Sequence, residues 1–221
     1  MWCIPKAGGD YVACMEDVLD LYEQPFDPQR PLVCYDEWRR ALISETRTSL
    51  PAQPGRRKRV DYEYRRNGVA YLHMAFEPLV GRRHIWVTPQ HTMKEFAHCM
   101  KWLVDEVFPL AEMIRIVLDN LATHKPAALY ETFPPQEARR ILKKLEFHYT
   151  PKHGSWLNMA EIELSVFGRT MKNYIPEKQV FSKESHALAI ERNEAIAKVA
   201  WQFRSADARI KLKQLYPSIS A

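Results

Sequence analysis

Two short apolar runs, each followed directly by an aspartate, place the strongest constraint on how this 221-residue chain folds. Leu32–Tyr35 is followed by Asp36, and Met113–Leu118 is followed by Asp119. Apolar runs of this length are typical of strands buried in a sheet. Open α/β sheets often carry reactive groups at strand ends, so both aspartates can project from one sheet edge. Aspartate is also common in turns after strands, which leaves a plain turn residue as the alternative.

A third carboxylate, Glu161, belongs to a helical segment predicted from Ser155 to Tyr174. Glu161 flanks the apolar stripe of this helix, where its side chain can reach the sheet edge. Glu163 is two positions away, cannot share that face, and is predicted to be more solvated. Asn158 can share the side of Glu161. The stripe consists of residues at helical spacing, namely Leu157, Ala160, Leu164, Phe167 and Met171.

The three carboxylates together are a candidate cation site. Carboxylates are seldom fully buried unless they are paired or bind a metal, and Mg²⁺ favours oxygen ligands. This chemistry points to phosphodiester cleavage and transfer. Glu37 is a neighbouring candidate, but in a strand it faces away from Asp36.

Three further residues are candidate accessory groups. Asn120 and His124 follow Asp119, and Asn158 precedes Glu161. His124 is interpreted either as a surface histidine or as a residue that touches a phosphate or a water near the site. His148 and His153 are interpreted as structural or surface residues.

Composition and motifs exclude several other classes of protein. The chain has no Gly-x-Ser-x-Gly nucleophile elbow, no glycine-rich phosphate loop and no zinc-like pattern. Its four cysteines form no Cys-x-x-Cys pair, which favours reduced thiols. No apolar run approaches the roughly 20 residues needed to span a membrane, and the N-terminus lacks a secretory signal pattern. We therefore expect a cytoplasmic protein without a membrane partner.

The positive charge is concentrated in one segment. Eight basic and three acidic residues lie between Gly55 and His84, so this window carries the whole net charge of +5. A basic segment on a neutral body suits a polyanion such as DNA, although a solvated charged loop is the alternative. The candidate DNA-binding residues are Arg56, Arg57, Lys58, Arg59, Arg65 and Arg66.

Periodicity and turn signals predict a mixed sheet covered by helices, an α/β fold. Asn67-Gly68 is a strong hairpin signal, and Pro134-Pro135 divides the segment from Pro126 to Leu145 into two helices. A helix is predicted over 182–202, followed by a short one capped by Ser205 and anchored by Ile210. We expect three parts: an N-terminal helix and linker (1–31), a catalytic core (32–175) and C-terminal helices packing on the core (176–221).

Three ordered blocks of residues resemble a known family: Val33–Glu37, Leu118–His124 and Ser155–Glu161. They are similar to the signature blocks of bacterial insertion-sequence transposases related to the mariner elements, within the DDE superfamily of endonucleases. The resemblance implies a ribonuclease H-like fold. It also implies that Asp36, Asp119 and Glu161 hold two divalent ions, Mg²⁺ or Mn²⁺, and that the reaction excises the DNA ends of an element and joins them to a target.

The resemblance has one departure. Members of this family usually carry an N-terminal helix-turn-helix region, and here only residues 1–31 precede the first strand. We therefore expect the catalytic part alone, a metal-dependent DNA endonuclease and strand-transfer domain. Its expected partner is DNA, with a second copy of the chain as a candidate. The alternatives are an inactive DNA-binding remnant, or a nuclease of the same fold that acts on branched DNA or RNA hybrids.

Overall fold

The computed structural model describes residues 8–57, 59, 62–171 and 174–218, and in this part of the chain five strands form one mixed sheet. The strands are β1 (Leu32–Glu45), β2 (Tyr64–Glu77), β3 (Arg82–Thr88), β4 (Ile114–Leu118) and β5 (Leu145–Tyr149). Their order across the sheet is β3-β2-β1-β4-β5. The pairs β1–β2 and β2–β3 are antiparallel, whereas β1–β4 and β4–β5 are parallel.

Helices cover both faces of the sheet. They are α1 (Gly9–Tyr22), α2 (Met93–Trp102, continued by a π-helical turn at Leu103–Val107), α3 (Ala127–Thr132), α4 (Pro135–Leu142), α5 (Met159–Thr170), α6 (Lys178–Glu194) and α7 (Ser205–Lys211). Short 3₁₀ turns lie at Ser155–Leu157 and Lys213–Leu215. Helices α1, α5, α6 and α7 pack on one face and α2, α3 and α4 on the other. This confirms the predicted helix-covered mixed sheet. No helix in the described ranges is long and apolar enough to cross a membrane.

Leu32–Tyr35 of β1 and the whole of β4 are buried between the helices of the two faces, which explains the apolar character of these runs. Cys34 and Val117 face α1 and α5, whereas Val33 and Ile116 face α2 and α3. Each fully buried side chain of this size contributes roughly 1.5–3 kcal/mol relative to an exposed one. The predicted stripe of α5 is confirmed, because all five of its residues are buried.

The prediction that Asp36 stands at a strand end is wrong. Strand β1 continues to Glu45, because β2 pairs with it along nearly its whole length. What ends near Asp36 is the parallel pairing with β4, whose last pair is Cys34 with Val117.

The predicted hairpin at Asn67-Gly68 is also wrong. Both residues lie inside β2, where the register with β1 shifts between Ala41 and Ile43. Gly68 has a φ of +100°, so its tolerance of positive φ serves a bulge instead of a turn. The true connection between β1 and β2 is the loop 46–63.

The two helices predicted around Pro134-Pro135 are confirmed as α3 and α4. The helix predicted over 182–202 is wrong beyond Glu194, because the chain leaves α6 there and Ile196 adopts a φ of +47°. Ile210 is 79% exposed and is not an anchor; Ala208 and Leu215 are buried in its place.

Glu163, predicted to be solvated, is 1% exposed and lies in a buried ion-pair cluster. Its carboxylate accepts hydrogen bonds from Nε of Arg83 at 2.8 Å and from Nη2 of Arg192 at 2.8 Å. The arginines come from β3 and α6, so sequence spacing within α5 could not reveal them. Arg83 also donates to the carbonyl oxygen of Ala197, which ties the segment after α6 to the sheet.

Replacing Glu163 with Ala should destabilise the fold by about 3–5 kcal/mol, because Arg83 would stay buried without its counter-charge. The measurement is urea unfolding at neutral pH. The matched control is Glu184→Ala, an exposed position on α6, for which a change within about 0.5 kcal/mol is expected. Equal stability losses in the two variants would contradict a structural role for the cluster.

The same ion pairs predict an acid dependence. Burial opposes the charged form of Glu163, but the hydrogen bonds from Arg83 and Arg192 outweigh it and lower the pKa below its ordinary value of 4.5. A lowered carboxyl pKa contributes stability that is present above pH 4.5 and is lost as the pH falls through the lowered value. The stability difference between the natural chain and Glu163→Gln should therefore shrink in acid. A difference that stays constant from neutral to acid pH would contradict this.

Candidate active site

The parallel pairing of β1 and β4 brings Asp36 and Asp119 to equivalent positions. Cys34 pairs with Val117, and each aspartate lies two residues further along its strand direction. Neighbouring strands are about 4.8 Å apart. The structure therefore brings the two sequence-predicted aspartates together at one edge of the parallel part of the sheet.

Helix α5 brings Glu161 to the same edge. Asn158, 1% exposed, is the N-cap of this helix: its Oδ1 accepts from the amide of Ala160 at 3.1 Å. Its Nδ2 donates to the carbonyl oxygen of Tyr35 at 2.8 Å, one residue before Asp36. One side chain thus ties the first turn of α5, which contains Glu161, to the strand that carries Asp36.

The hydroxyl of Tyr22 adds a second tether to this region. It donates to the carbonyl oxygen of Leu157 at 2.6 Å, which joins α1 to the 3₁₀ turn before α5. The N-terminal helix is therefore in direct contact with the segment that positions Glu161.

The neighbouring acids make the charge of Asp36 unfavourable. The pKa of Asp36 is raised to about 7, first by burial and then by the negative charges of Glu161, Glu37 and Asp119. The amide of Glu37 donates to Asp36 Oδ1 at 2.8 Å and opposes this shift. A carboxylate whose charge is this unfavourable is typical of a site that receives a cation or a proton.

The donor set fits a hard divalent cation, because Asp36, Asp119 and Glu161 offer oxygen ligands and a cation would relieve their repulsion. The carboxylates do not form a closed cage as they stand. Within the described ranges, no three His, Cys, Asp or Glu side chains are gathered closely enough to hold a metal ion.

His124 is not a surface histidine, so that interpretation is wrong. Its ring is buried and bridges two acids: Nδ1 lies 2.5 Å from Asp119 Oδ1, and Nε2 lies 3.0 Å from Glu37 Oε1. Burial alone would lower its pKa, but the hydrogen bonds to Asp119 and Glu37 outweigh burial and raise the pKa to about 9.

The sequence did not predict the hydrogen-bonding partners that link His124 to Glu37, Tyr35 and His73. Glu37 also accepts from the hydroxyl of Tyr35 at 2.8 Å, and that hydroxyl lies 2.7 Å from Nδ1 of His73. Glu37 therefore faces away from Asp36, as strand alternation predicts. The adjacent acids Asp36 and Glu37 were the one sequence feature that could have indicated this role of Glu37. His73 lies on another strand, and no local pattern connects it with Glu37.

Asn120 borders an open cavity of about 530 Å³ next to Asp119. Lys152, His153 and Ser155 also line this cavity. The side-chain oxygen of Asn120 accepts a hydrogen bond from Nζ of Lys125. The cavity is open to solvent beside Asp119.

The described residues of the predicted basic segment are exposed. Arg56, Arg57 and Arg59 lie in the loop 46–63, and Arg65 and Arg66 lie on the outer part of β2. Lys58 lies outside the described residues. The guanidinium of Arg66 stands 5.8 Å from the ring centre of Tyr64. That this segment contacts DNA stays a prediction.

A protein-family comparison matches residues 31–181 to the family described as DDE superfamily endonuclease. The matched region contains Asp36, Asp119 and Glu161. No curated protein matches the sequence significantly.

The chain is also similar to solved structures of the Mos1 transposase. A paired-end complex with the left transposon end matches at a TM-score of 0.56 and 13% identity, covering 89% of this chain and 60% of that one. A Mos1 mariner paired-end complex with Mn matches at a TM-score of 0.56 and 13% identity, covering 89% of this chain and 62% of that one. A Mos1 strand transfer complex matches at a TM-score of 0.57 and 12% identity, covering 89% of this chain and 62% of that one. At this identity the likeness shows the fold, and the ribonuclease H-like prediction is confirmed. The chain spans about 60% of the length of these proteins.

Replacing Asn158 tests how Glu161 is held. Asn158→Ala removes both the helix cap and the bond to Tyr35, and should cost about 1–3 kcal/mol in unfolding free energy. Asn158→Asp keeps the cap acceptor, but it turns an oxygen toward the carbonyl oxygen of Tyr35 and buries a charge near Asp36, so at neutral pH it should destabilise the fold at least as much as Asn158→Ala. Thermal or urea unfolding of the three proteins checks this order. Equal stability of Asn158→Ala and the natural chain would contradict the tether.

Proposed function

The chain belongs to the DDE superfamily of endonucleases, and from this premise we propose that it is the catalytic domain of a transposase, which cuts DNA and joins the ends to a target. Asp36, Asp119 and Glu161 are the proposed catalytic residues. The observation that carries the proposal is the placement of Asp36 and Asp119 at equivalent positions of the paired strands β1 and β4, with Glu161 on α5 close enough for its charge to help raise the pKa of Asp36.

The proposed cofactor is Mg²⁺ or Mn²⁺, held by the same three carboxylates. Two such ions would supply activation of a water or a DNA 3′-hydroxyl and stabilisation of the leaving oxygen. The oxygen-only donors and the mutual repulsion of the acids support this assignment. One of the similar proteins, the Mos1 paired-end complex, was crystallised with Mn.

DNA is the proposed partner. The exposed arginines of the loop 46–63 and of β2 would contact phosphates, and the cavity beside Asp119 leaves room for a strand at the acids. Recognition of specific element ends is no part of this proposal, because the chain spans about 60% of the length of the Mos1 transposase.

An inactive DNA-binding remnant is the alternative function. It would keep the basic surface and the fold without cutting. The electrostatic coupling of Asp36 with Glu161 and Asp119 favours an active enzyme, because an inactive protein gains nothing from gathered like charges.

Asp36→Asn, Asp119→Asn and Glu161→Gln should each slow metal-dependent nicking of DNA by about 10²–10³-fold or more, since each removes several kcal/mol of charge stabilisation. The measurement is nicking of supercoiled plasmid in Mg²⁺ and in Mn²⁺. Glu184→Gln, on the exposed side of α6, is the matched control and should nick at the natural rate.

Two results would count against the proposal. Unchanged nicking by Asp119→Asn would remove that residue from the reaction. DNA that binds at low salt but is never cut by the natural chain in either ion would establish the inactive remnant.

The basic segment has its own test. Changing both Arg65 and Arg66 to Gln should weaken DNA binding and reduce the slope of log affinity against log salt by about 0.9 for each phosphate that is no longer neutralised. Fluorescence anisotropy with a labelled duplex at several salt concentrations measures this slope. Arg139→Gln, an exposed change on α4, should leave the slope unaltered. Identical slopes for the natural chain, the double variant and Arg139→Gln would show that DNA does not contact Arg65 and Arg66.

A further inference from the structure

We infer that Glu37 is a positioning residue that acts through His124 to hold the carboxylate of Asp119 in the orientation that the cleavage site requires. The inference rests on the function proposed above, because it assigns Asp119 to a cation site. Glu37 itself touches neither the substrate nor the cation.

The path from Glu37 to Asp119 runs through both nitrogens of one imidazole. Nδ1 of His124 lies 2.5 Å from Oδ1 of Asp119, and Nε2 lies 3.0 Å from Oε1 of Glu37. With both nitrogens engaged, the ring plane and the position of the Asp119 carboxylate are set by where Glu37 stands.

His124 has little freedom to move. It is 1% exposed, its ring centre lies 5.5 Å from that of Tyr35 and 4.8 Å from that of Phe96, and its carbonyl oxygen accepts from the hydroxyl of Tyr149 at 2.9 Å. A buried imidazole packed in this way transmits the position of one carboxylate to the other.

Glu37 is itself fixed from a second direction. The hydroxyl of Tyr35 donates to Glu37 Oε1 at 2.8 Å and lies 2.7 Å from Nδ1 of His73, whose Nε2 lies 2.9 Å from Oγ1 of Thr88. The chain of hydrogen-bonding contacts therefore begins on β3, crosses β2 and β1, and ends at Asp119, just after β4.

One dipeptide thereby serves both aspartates. Asp36 presents its own carboxylate at the site. The next residue, Glu37, lies on the opposite face of β1 and contacts Asp119 indirectly, through His124. Removing a direct hydrogen-bonding partner of a metal ligand, which is the place of His124, typically changes metal affinity or activity by about 10–100-fold. Glu37 acts through His124, so its removal should have a smaller effect of several-fold.

The experiment is Mn²⁺ binding to the full chain without DNA, followed by the electron paramagnetic resonance signal of free Mn²⁺. His124→Gln should weaken binding about 10–100-fold, and Glu37→Gln, one step further from Asp119, should weaken it several-fold. The double variant should bind no more weakly than the weaker of the two single variants, because both changes interrupt the same path. A merely structural role does not produce this non-additivity.

The chain offers a matched control in a second buried Glu–His contact. Glu77 Oε1 lies 2.8 Å from Nε2 of His84, away from Asp119 on β2 and β3. Glu77→Gln should leave Mn²⁺ affinity unchanged. If Glu37→Gln fails to fold, Tyr35→Phe replaces it: this change removes only the hydroxyl that fixes Glu37, and a weakening of several-fold is expected.

Three results would overturn the inference. Natural Mn²⁺ affinity in Glu37→Gln, or in Tyr35→Phe where that variant replaces it, would show that Glu37 does not act on the site. A double variant whose weakening is the product of the two single effects would show that Glu37 and His124 act separately. Equal binding by the natural chain and Asp119→Asn would remove the cation site and the proposed function with it. That result is distinguishable, because the first two leave the effect of Asp119→Asn intact.

Discussion

The parallel pairing of β1 with β4 is the constraint on which the site depends. Its last pair, Cys34 with Val117, leaves Asp36 and Asp119 at matching positions just beyond. Leu32–Tyr35 of β1 and all of β4 are buried, so a one-residue slip would exchange the buried side chains of these runs between the two faces. The close packing of the two hydrophobic clusters therefore also fixes the separation of the aspartates.

Glu163, Glu37 and Asp36 fall into two groups according to the charges of their partners. Glu163 is held by Arg83 and Arg192, and Glu37 by His124, so these partners lower the pKa of both carboxylates despite burial. The pKa of Asp36 is raised, because it is buried and acids surround it. The first group stabilises the fold or orients a neighbour, whereas the unfavourable charge of Asp36 supports the proposal that a cation is held there.

Local sequence patterns predict the sheet, the paired helices around Pro134-Pro135 and the stripe of α5, because burial imposes a regular period on each element. They also single out Asp36, Asp119 and Glu161, the residues of the proposed site. They fail where a partner comes from a distant segment: Glu163 is buried by arginines of β3 and α6, and His124 is fixed by Glu37, 87 residues earlier. Asn67-Gly68 misleads because positive φ serves a bulge as well as a turn.

Whether three distant carboxylates share divalent cations can be tested with a crystal of the chain soaked in Mn²⁺ and measured for anomalous scattering. We expect anomalous peaks within about 2.0–2.6 Å of carboxylate oxygens of Asp36, Asp119 and Glu161, the range of oxygen ligands to hard cations. A fully occupied Mn²⁺ elsewhere, with none among these three side chains, would refute the shared cation site.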